Sequence, residues 1–250
     1  MGTYIRGFLL VLGFVLGVSA SVSAEMTATE LQYFTEDYPP YNFEEAGEMR
    51  GISVDLLRLI WKEMDIPEQP IRLVPWARGY RIVQNRPGTV LFAMGRTADR
   101  EDLFRWVCPI MTNRQVLIGR KDQNIQIQSL AEAKRYRIGT ILKDLGDSLL
   151  TQAGFDNLES VSDIRLNLRK LDAGRIDLIA YGENGFWNHV ENPEDYEIVF
   201  ALKTSQACYA FHQDTPEALV ADFQRALDAI KTKGMHKVLI EEYFGAQGME

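Results

Sequence analysis

Apolar and polar positions along this chain switch repeatedly between a run pattern and a helical period. Short apolar runs at Leu31–Phe34, Ile71–Val74, Val90–Met94, Val116–Gly119, Tyr136–Ile141, Asp177–Tyr181, Ile198–Leu202 and Cys208–Phe211 predict strands. Between them the spacing becomes helical. Ile52–Met64 places Leu56, Leu57, Ile60, Trp61 and Met64 on one face, with Asp55 in a first turn whose dipole favours an anion. Tyr80–Gln84, Leu130–Lys134, Gly146–Ala153 and Ile164–Leu171 read as shorter helices. Pro216–Lys233 is the clearest one, with Leu219, Val220, Phe223, Leu227 and Ile230 as its stripe. Thr215 is the expected cap there, Pro216 the first helical residue and Gly234 the stop, before a last helix at Met235–Phe244. Strands alternating with helices predict an α/β protein with mostly parallel sheets covered by helices.

The N-terminus follows a different logic. Arg6 precedes an apolar run from Gly7 to Val18, which gives way to Ser21-Val-Ser-Ala24. A basic head, a short apolar core and a small-residue exit predict a signal peptide at 1–24, cleaved after Ala24. A membrane span needs roughly 20 apolar residues, and this run breaks too early. No Cys follows it, so the expectation is a free mature chain in the periplasm, not a lipid-anchored one.

Charge narrows the function. A formal net charge of −8 disfavours a broad nucleic-acid surface or a polybasic membrane patch, since both need clustered cations. Two cysteines are too few to build a scaffold, so apolar packing must supply the core. His189, His212 and His236 lie far apart and show no zinc-ligand spacing. Gly51-Ile-Ser-Val-Asp55 lacks the second glycine of a nucleophile elbow, and no glycine-rich phosphate loop occurs. No metal or cofactor is implied.

Three segments carry a family resemblance. They are Phe34-Thr-Glu-Asp-Tyr-Pro-Pro-Tyr-Asn-Phe43, Gly51-Ile-Ser-Val-Asp-Leu-Leu57, and Met94-Gly-Arg-Thr-Ala-Asp-Arg100 running on to Pro109. In this order and spacing the chain resembles the family 3 extracellular solute-binding proteins, the amino-acid-type receptors of ABC importers. The resemblance implies a type II clamshell of two α/β lobes joined by two crossover strands, with ligand held between the lobes. It places lobe 1 at 25–112 and 208–250, and lobe 2 at 113–207. The crossovers fall near Pro109–Gln115 and Thr204–Phe211, and hinge closure belongs to the known repertoire of periplasmic binders.

The same resemblance implies the site. Thr97-Ala-Asp-Arg100 matches the segment whose Arg holds a ligand carboxylate, and the Thr97 N–H would add a contact. Tyr38 and Trp76 stand where aromatics cover the ligand's body, and Arg78 follows Trp76 closely. Departures from the family pattern are equally specific. Gly95 replaces a Thr and Arg96 intrudes after it. Lys143-Asp144 replaces a Gly-Thr/Ser turn at an anion-binding helix start. Gly182 stands where the family keeps the Asp that pairs with an α-ammonium, leaving Glu183 as the neighbouring acid. Arg78, Arg96 and Arg100 tilt the expectation towards an anionic, carboxylate-bearing solute.

Three roles follow from the resemblance: capture for an ABC permease by a monomeric binder, a ligand-sensing receptor, or a dehydratase on the same fold with Glu183 as general acid. Cys108 and Cys208 flank the two crossovers, and rough pairing of those strands leaves them a few residues out of register. Two buried thiols are therefore expected over a disulfide.

Overall fold

Near-continuous burial along Thr89–Gly95 (β5) and Leu178–Gly182 (β9) marks strands covered on both faces, as helix-flanked parallel strands require. The computed structural model describes residues 26–245, and the expected signal peptide lies outside them. Gln32–Thr35 (β1) lies parallel between Ile71–Leu73 (β4) and β5. Ile138–Ile141 (β7) lies parallel between Leu158–Val161 (β8) and β9. Two 17-residue strands, Phe104–Arg120 (β6) and Tyr196–His212 (β10), run antiparallel to each other between these groups. The sheet order is β4-β1-β5-β10-β6-β9-β7-β8. Each parallel group belongs to one lobe of a two-lobed α/β fold, and β6 and β10 cross from one to the other.

The expectation of mostly parallel sheets is corrected here, because the central pairings β5–β10, β10–β6 and β6–β9 are antiparallel. The two runs at Ile198–Leu202 and Cys208–Phe211 are parts of one strand. Its polar middle, Lys203–Gln206, lies where the strand passes between lobes and does not need an apolar face.

Helices Ile52–Glu63 (α1), Trp76–Asn85 (α2), Leu145–Gln152 (α3), Ile164–Asp172 (α4), Glu183–Trp187 (α5) and Glu217–Thr232 (α6) surround this sheet, and Met235–Phe244 (α7) packs on α1 and α6. Pro216, not Thr215, is the N-cap of α6, and the buried Thr215 hydroxyl has no hydrogen-bond partner. A hairpin, Phe43–Glu45 (β2) with Glu48–Arg50 (β3), forms where the polarity pattern shows only a turn. Gly51 then starts α1 at φ 115°, with Tyr41's carbonyl so near that a Cβ would lie 2.4 Å from its oxygen. From α7 the Tyr243 hydroxyl accepts from Gly51 N–H at 3.1 Å and donates to Asp55, joining the chain's end to its beginning.

A single apolar cluster runs unbroken from Tyr33, Ile60 and Phe223 through Met94 to Ile179 and Tyr181, so the lobes meet in a closed arrangement. Leu117, Ile138, Leu150 and Phe155 form a smaller core within the second lobe.

The expectation of two thiols is corrected as well: Cys108 and Cys208 form a disulfide with Cα atoms 4.8 Å apart. Ala207 pairs with Met111 but Tyr209 with Val107, so β6 carries extra residues exactly opposite Cys208. That bulge brings Cys108 into register, which a uniform ladder would not. Gln224 of α6 brackets it, accepting from Cys108 N–H at 2.8 Å and donating to its carbonyl at 2.9 Å.

Candidate functional site

The carboxyl ends of the parallel strands of both lobes converge, the usual place for ligands in α/β sheets. β1 leads into Glu36-Asp37-Tyr38 and β5 into Gly95–Arg100. From the other lobe, β7 leads into the Lys143-Asp144 turn and β8 into Ser162-Asp163.

Arg100 is buried, with 1% of its surface exposed. Its Nη1 donates to the Gly95 carbonyl at 3.3 Å. Its Nη2 reaches the second lobe, donating to the Lys143 carbonyl at 3.1 Å and to Ser148 Oγ at 3.3 Å. The guanidinium carbon lies 5.3 Å from the centre of the Tyr80 ring. Trp76 Nε1 donates to the same Lys143 carbonyl at 2.9 Å. One main-chain oxygen thus receives two side chains from the opposite lobe. Lys143 has φ 66°, and its N–H is held by Asp147 at 3.1 Å.

Thr97 is buried; its carbonyl accepts from Arg100 N–H at 3.0 Å, while its hydroxyl has no partner. Gly95 faces α3, since a Cβ there would lie 3.1 Å from Leu145 Cδ2. Asp144 caps α3, and burial raises its carboxyl above the ordinary range against the pull of Leu145 N–H and Arg100.

Tyr38 is buried, stacked on Tyr41 at 4.6 Å between ring centres and edge-on to Tyr181 at 5.3 Å. Its hydroxyl accepts from Asn113 Nδ2 at 3.1 Å. It also occupies the space beside Gly182, where a Cβ would lie 1.9 Å from the phenolic oxygen. A side chain at position 182 would therefore collide with Tyr38, which takes up that volume. Glu183 beside it turns away and is fork-bonded to Arg114, with Nη2 donating at 2.8 Å. Arg78 is exposed. Arg96 pairs with Glu101 and lies over the Trp106 ring, on another surface.

A cavity of about 250 Å³ lies between the lobes at the end of β1, and none of Arg100, Thr97, Tyr38 and Trp76 lines it. Glu36 and Asp37 line it from one side; Asp163, Arg165, Tyr181 and His189 line it from the other. The sequence assigns none of these residues to ligand contact. Glu36 and Asp37 sit inside a quoted motif directly after β1, and the position of that strand end is the signal that finds them. Asp163, Arg165 and His189 gave no such signal. Burial, reinforced by Asp144, Asp37 and Asp163, raises Glu36 well above its ordinary 4.5. Arg165 holds Asp163 low, and burial lowers His189.

A pH effect follows from Glu36. Its folded-state value lies above its unfolded one, so the folded protein retains a proton that the unfolded chain releases. Stability then falls as pH rises from about 4.5 through the folded value. Thermal melts across that window are expected to show a shallower fall for Glu36→Gln than for the parent. Identical slopes would assign the effect elsewhere.

The model of the bacterial extracellular solute-binding proteins, family 3, matches residues 32–246. A probable histidine-binding protein of Campylobacter jejuni is 23% identical over 236 residues, covering 90% of this chain and 88% of that relative. An ancestral arginine-binding protein solved with arginine superposes with a TM-score of 0.76 at 21% identity, over 86% of this chain and 98% of that one. A histidine kinase sensor domain with similarity to periplasmic binding proteins reaches 0.77 at 20% identity, over 86% and 96%.

Proposed function

Because this chain belongs to the bacterial extracellular solute-binding proteins, family 3, we propose that it captures a small carboxylate-bearing solute, an amino acid or a related metabolite, between its lobes. Residues 25–112 with 208–250 make one lobe and 113–207 the other. The observation that carries the reading is Arg100, a guanidinium buried where the lobes meet. Its hydrogen bonds use one Nη1 hydrogen and both on Nη2. Nε–H and the second Nη1 hydrogen make no hydrogen bond of normal geometry among the described residues, although the Tyr80 hydroxyl lies near the guanidinium, and they suit a carboxylate. The protein works in the periplasm as a monomer and delivers its solute to an ABC permease. Thr97 supports the carboxylate end, while Tyr38 and Trp76 cover the solute's body.

A dehydratase role for Glu183 has less support, since both its oxygens face Arg114 and it does not line the cavity. The relatives, too, are binding proteins.

A thermal-shift screen of the amino acids and small carboxylic acids tests the proposal. A true ligand at 100 times its Kd stabilises the fold by about 2.7 kcal/mol. Arg100→Ala is expected to abolish that shift, and Arg100→Lys to retain part of it. A full shift in both variants would remove Arg100 from binding.

A further inference from the structure

The strand pairings leave a narrow waist between the lobes. β5 stops pairing with β10 at Gly95–Ala207, and β9 starts pairing with β6 at Gln115–Gly182. Between those points β6 and β10 run alone, through the pairs Thr112–Gln206, Asn113–Ser205 and Arg114–Thr204. One further bond reaches this ribbon, from Arg96 N–H to the Gln206 carbonyl at 2.9 Å. A two-stranded ribbon is marginal by itself, so the sheet bends most easily here.

The far end of the ribbon is held by the Arg114–Glu183 fork. Its near end runs straight into the β6 bulge, where Cys108, Pro109 and Ile110 have no partners in the ladder. Side chains from the C-terminal helices take up those main-chain groups instead. Gln224 brackets Cys108, Lys231 Nζ donates to the Pro109 carbonyl at 2.7 Å, and His236 Nε2 donates to the Ile110 carbonyl. Successive carbonyls thus meet a row of side chains. Gln224 and Lys231 lie two turns apart on α6, beside its apolar stripe, and Gly234 at φ 74° turns the chain so that His236 of α7 completes the row.

Two details argue that the row is more than filler. Lys231 is half-buried, and burial lowers its ammonium against the pull of Asp228. A desolvated cation bonded to a main-chain oxygen is a costly way to fill space, and what it achieves here is a fixed Pro109. Gln224 also donates to Asp228 Oδ1 at 3.0 Å, which orients its amide towards the bulge. The disulfide cannot replace these contacts, since it ties Cys108 to β10 and leaves Pro109 and Ile110 free.

We infer that Gln224, Lys231 and His236 are positioning residues for lobe closure: they clasp the bulge to its own lobe and confine bending to the three-pair ribbon. This goes beyond the capture reading and requires no particular solute. The effect is entropic. The clasp lies within one lobe and survives opening, so while it holds only the ribbon bends. Without it Pro109–Met111 bend too, and the open form gains conformations that the closed form, pinned by its interlobe contacts, does not. Releasing the clasp therefore shifts the balance towards the open form.

Two tryptophans separate this role from ordinary stability. The Trp76 indole N–H donates across the lobes to the Lys143 carbonyl and reports closure. Trp61, buried in α1 against Tyr33, reports only the integrity of its own lobe. Hydrogen exchange of both indoles is followed by NMR on the disulfide-intact protein without added solute. In Gln224→Ala/Lys231→Met/His236→Leu, exchange at Trp76 is expected to rise about tenfold with Trp61 unchanged. Lys231→Arg with His236→Gln keeps both donors and should hold the parent rate. Equal acceleration at the two tryptophans would reduce the clasp to lobe stability and overturn the inference. An unchanged rate at Trp76, protected or already free, overturns it too. Should the triple variant fail to fold, Lys231→Met alone decides by the same comparison.

Discussion

Replacing both cysteines, Cys108→Ser with Cys208→Ser, is expected to lower the unfolding free energy by about 4–5 kcal/mol. The bond closes a loop with a sequence separation of 100, and cross-linking a loop of that length removes about 4.7 kcal/mol of chain entropy from the unfolded state. At this chain size the loss corresponds to ~10–15 °C in Tm. The loop enclosed is essentially the whole second lobe together with both crossover strands. The bond also pins β6 to β10 at one end of the hinge, so its removal should widen the range of lobe motion as well as lower stability. Denaturant unfolding of the double variant, with the reduced parent alongside, measures the first effect. A loss below about 1 kcal/mol would mean that the long β6–β10 ladder and the Gln224 bracket already restrain the unfolded or partly folded chain there.

The second large effect concerns Gly182. Gly182→Asp is expected to prevent the lobes from closing rather than to supply an acid to the site. A Cβ at 182 falls 1.9 Å from the Tyr38 hydroxyl and 2.9 Å from Asn113 Nδ2. Tyr38 cannot easily yield, since Tyr41 stacks on one side of it and Tyr181 meets its edge. Gly185 adds to the constraint, lying close enough that its own Cβ would meet the same ring at 2.0 Å. Overpacking and a carboxylate buried without a partner together cost about 3–5 kcal/mol against the closed form. Because Tyr38 and Gly182 belong to opposite lobes, opening relieves the clash with both cores intact. Small-angle scattering should therefore show a larger radius of gyration with most of the secondary structure retained. Adding Tyr38→Ala should restore compaction. An unchanged radius in Gly182→Asp alone would show that Tyr38 has room to move.

The two predictions also separate the kinds of information the chain carries. Met235–Phe244 and Ile52–Glu63 were legible to within a residue, because helical periodicity is a local property and each face is simply apolar or polar. The buried strands β5 and β9 announced themselves as unbroken apolar runs for the same reason. The short edge strand β8 and the exposed hairpin β2–β3 did not, since partly exposed strands have no apolar run to show. The cap expected at Thr215 falls one residue later, on Pro216, and the buried Thr215 hydroxyl makes no capping bond.

The sequence by itself determined the α/β class, the family pattern and the presence of Arg100, Tyr38 and Trp76 at motif positions. Each of these depends on spacing along one stretch of chain. Tertiary structure alone decided that Cys108 meets Cys208, because a bulge in β6 between Val107 and Met111 sets their register. It alone decided that Glu183 is occupied by Arg114, whereas Glu36 and Asp37 face a cavity with Tyr181 and His189. The physical reason is common to all of these. The charge available to a ligand is what remains after the protein's own groups have paired, and pairs such as Arg114–Glu183 and Arg100–Lys143, 69 and 43 positions apart, form only in the folded chain.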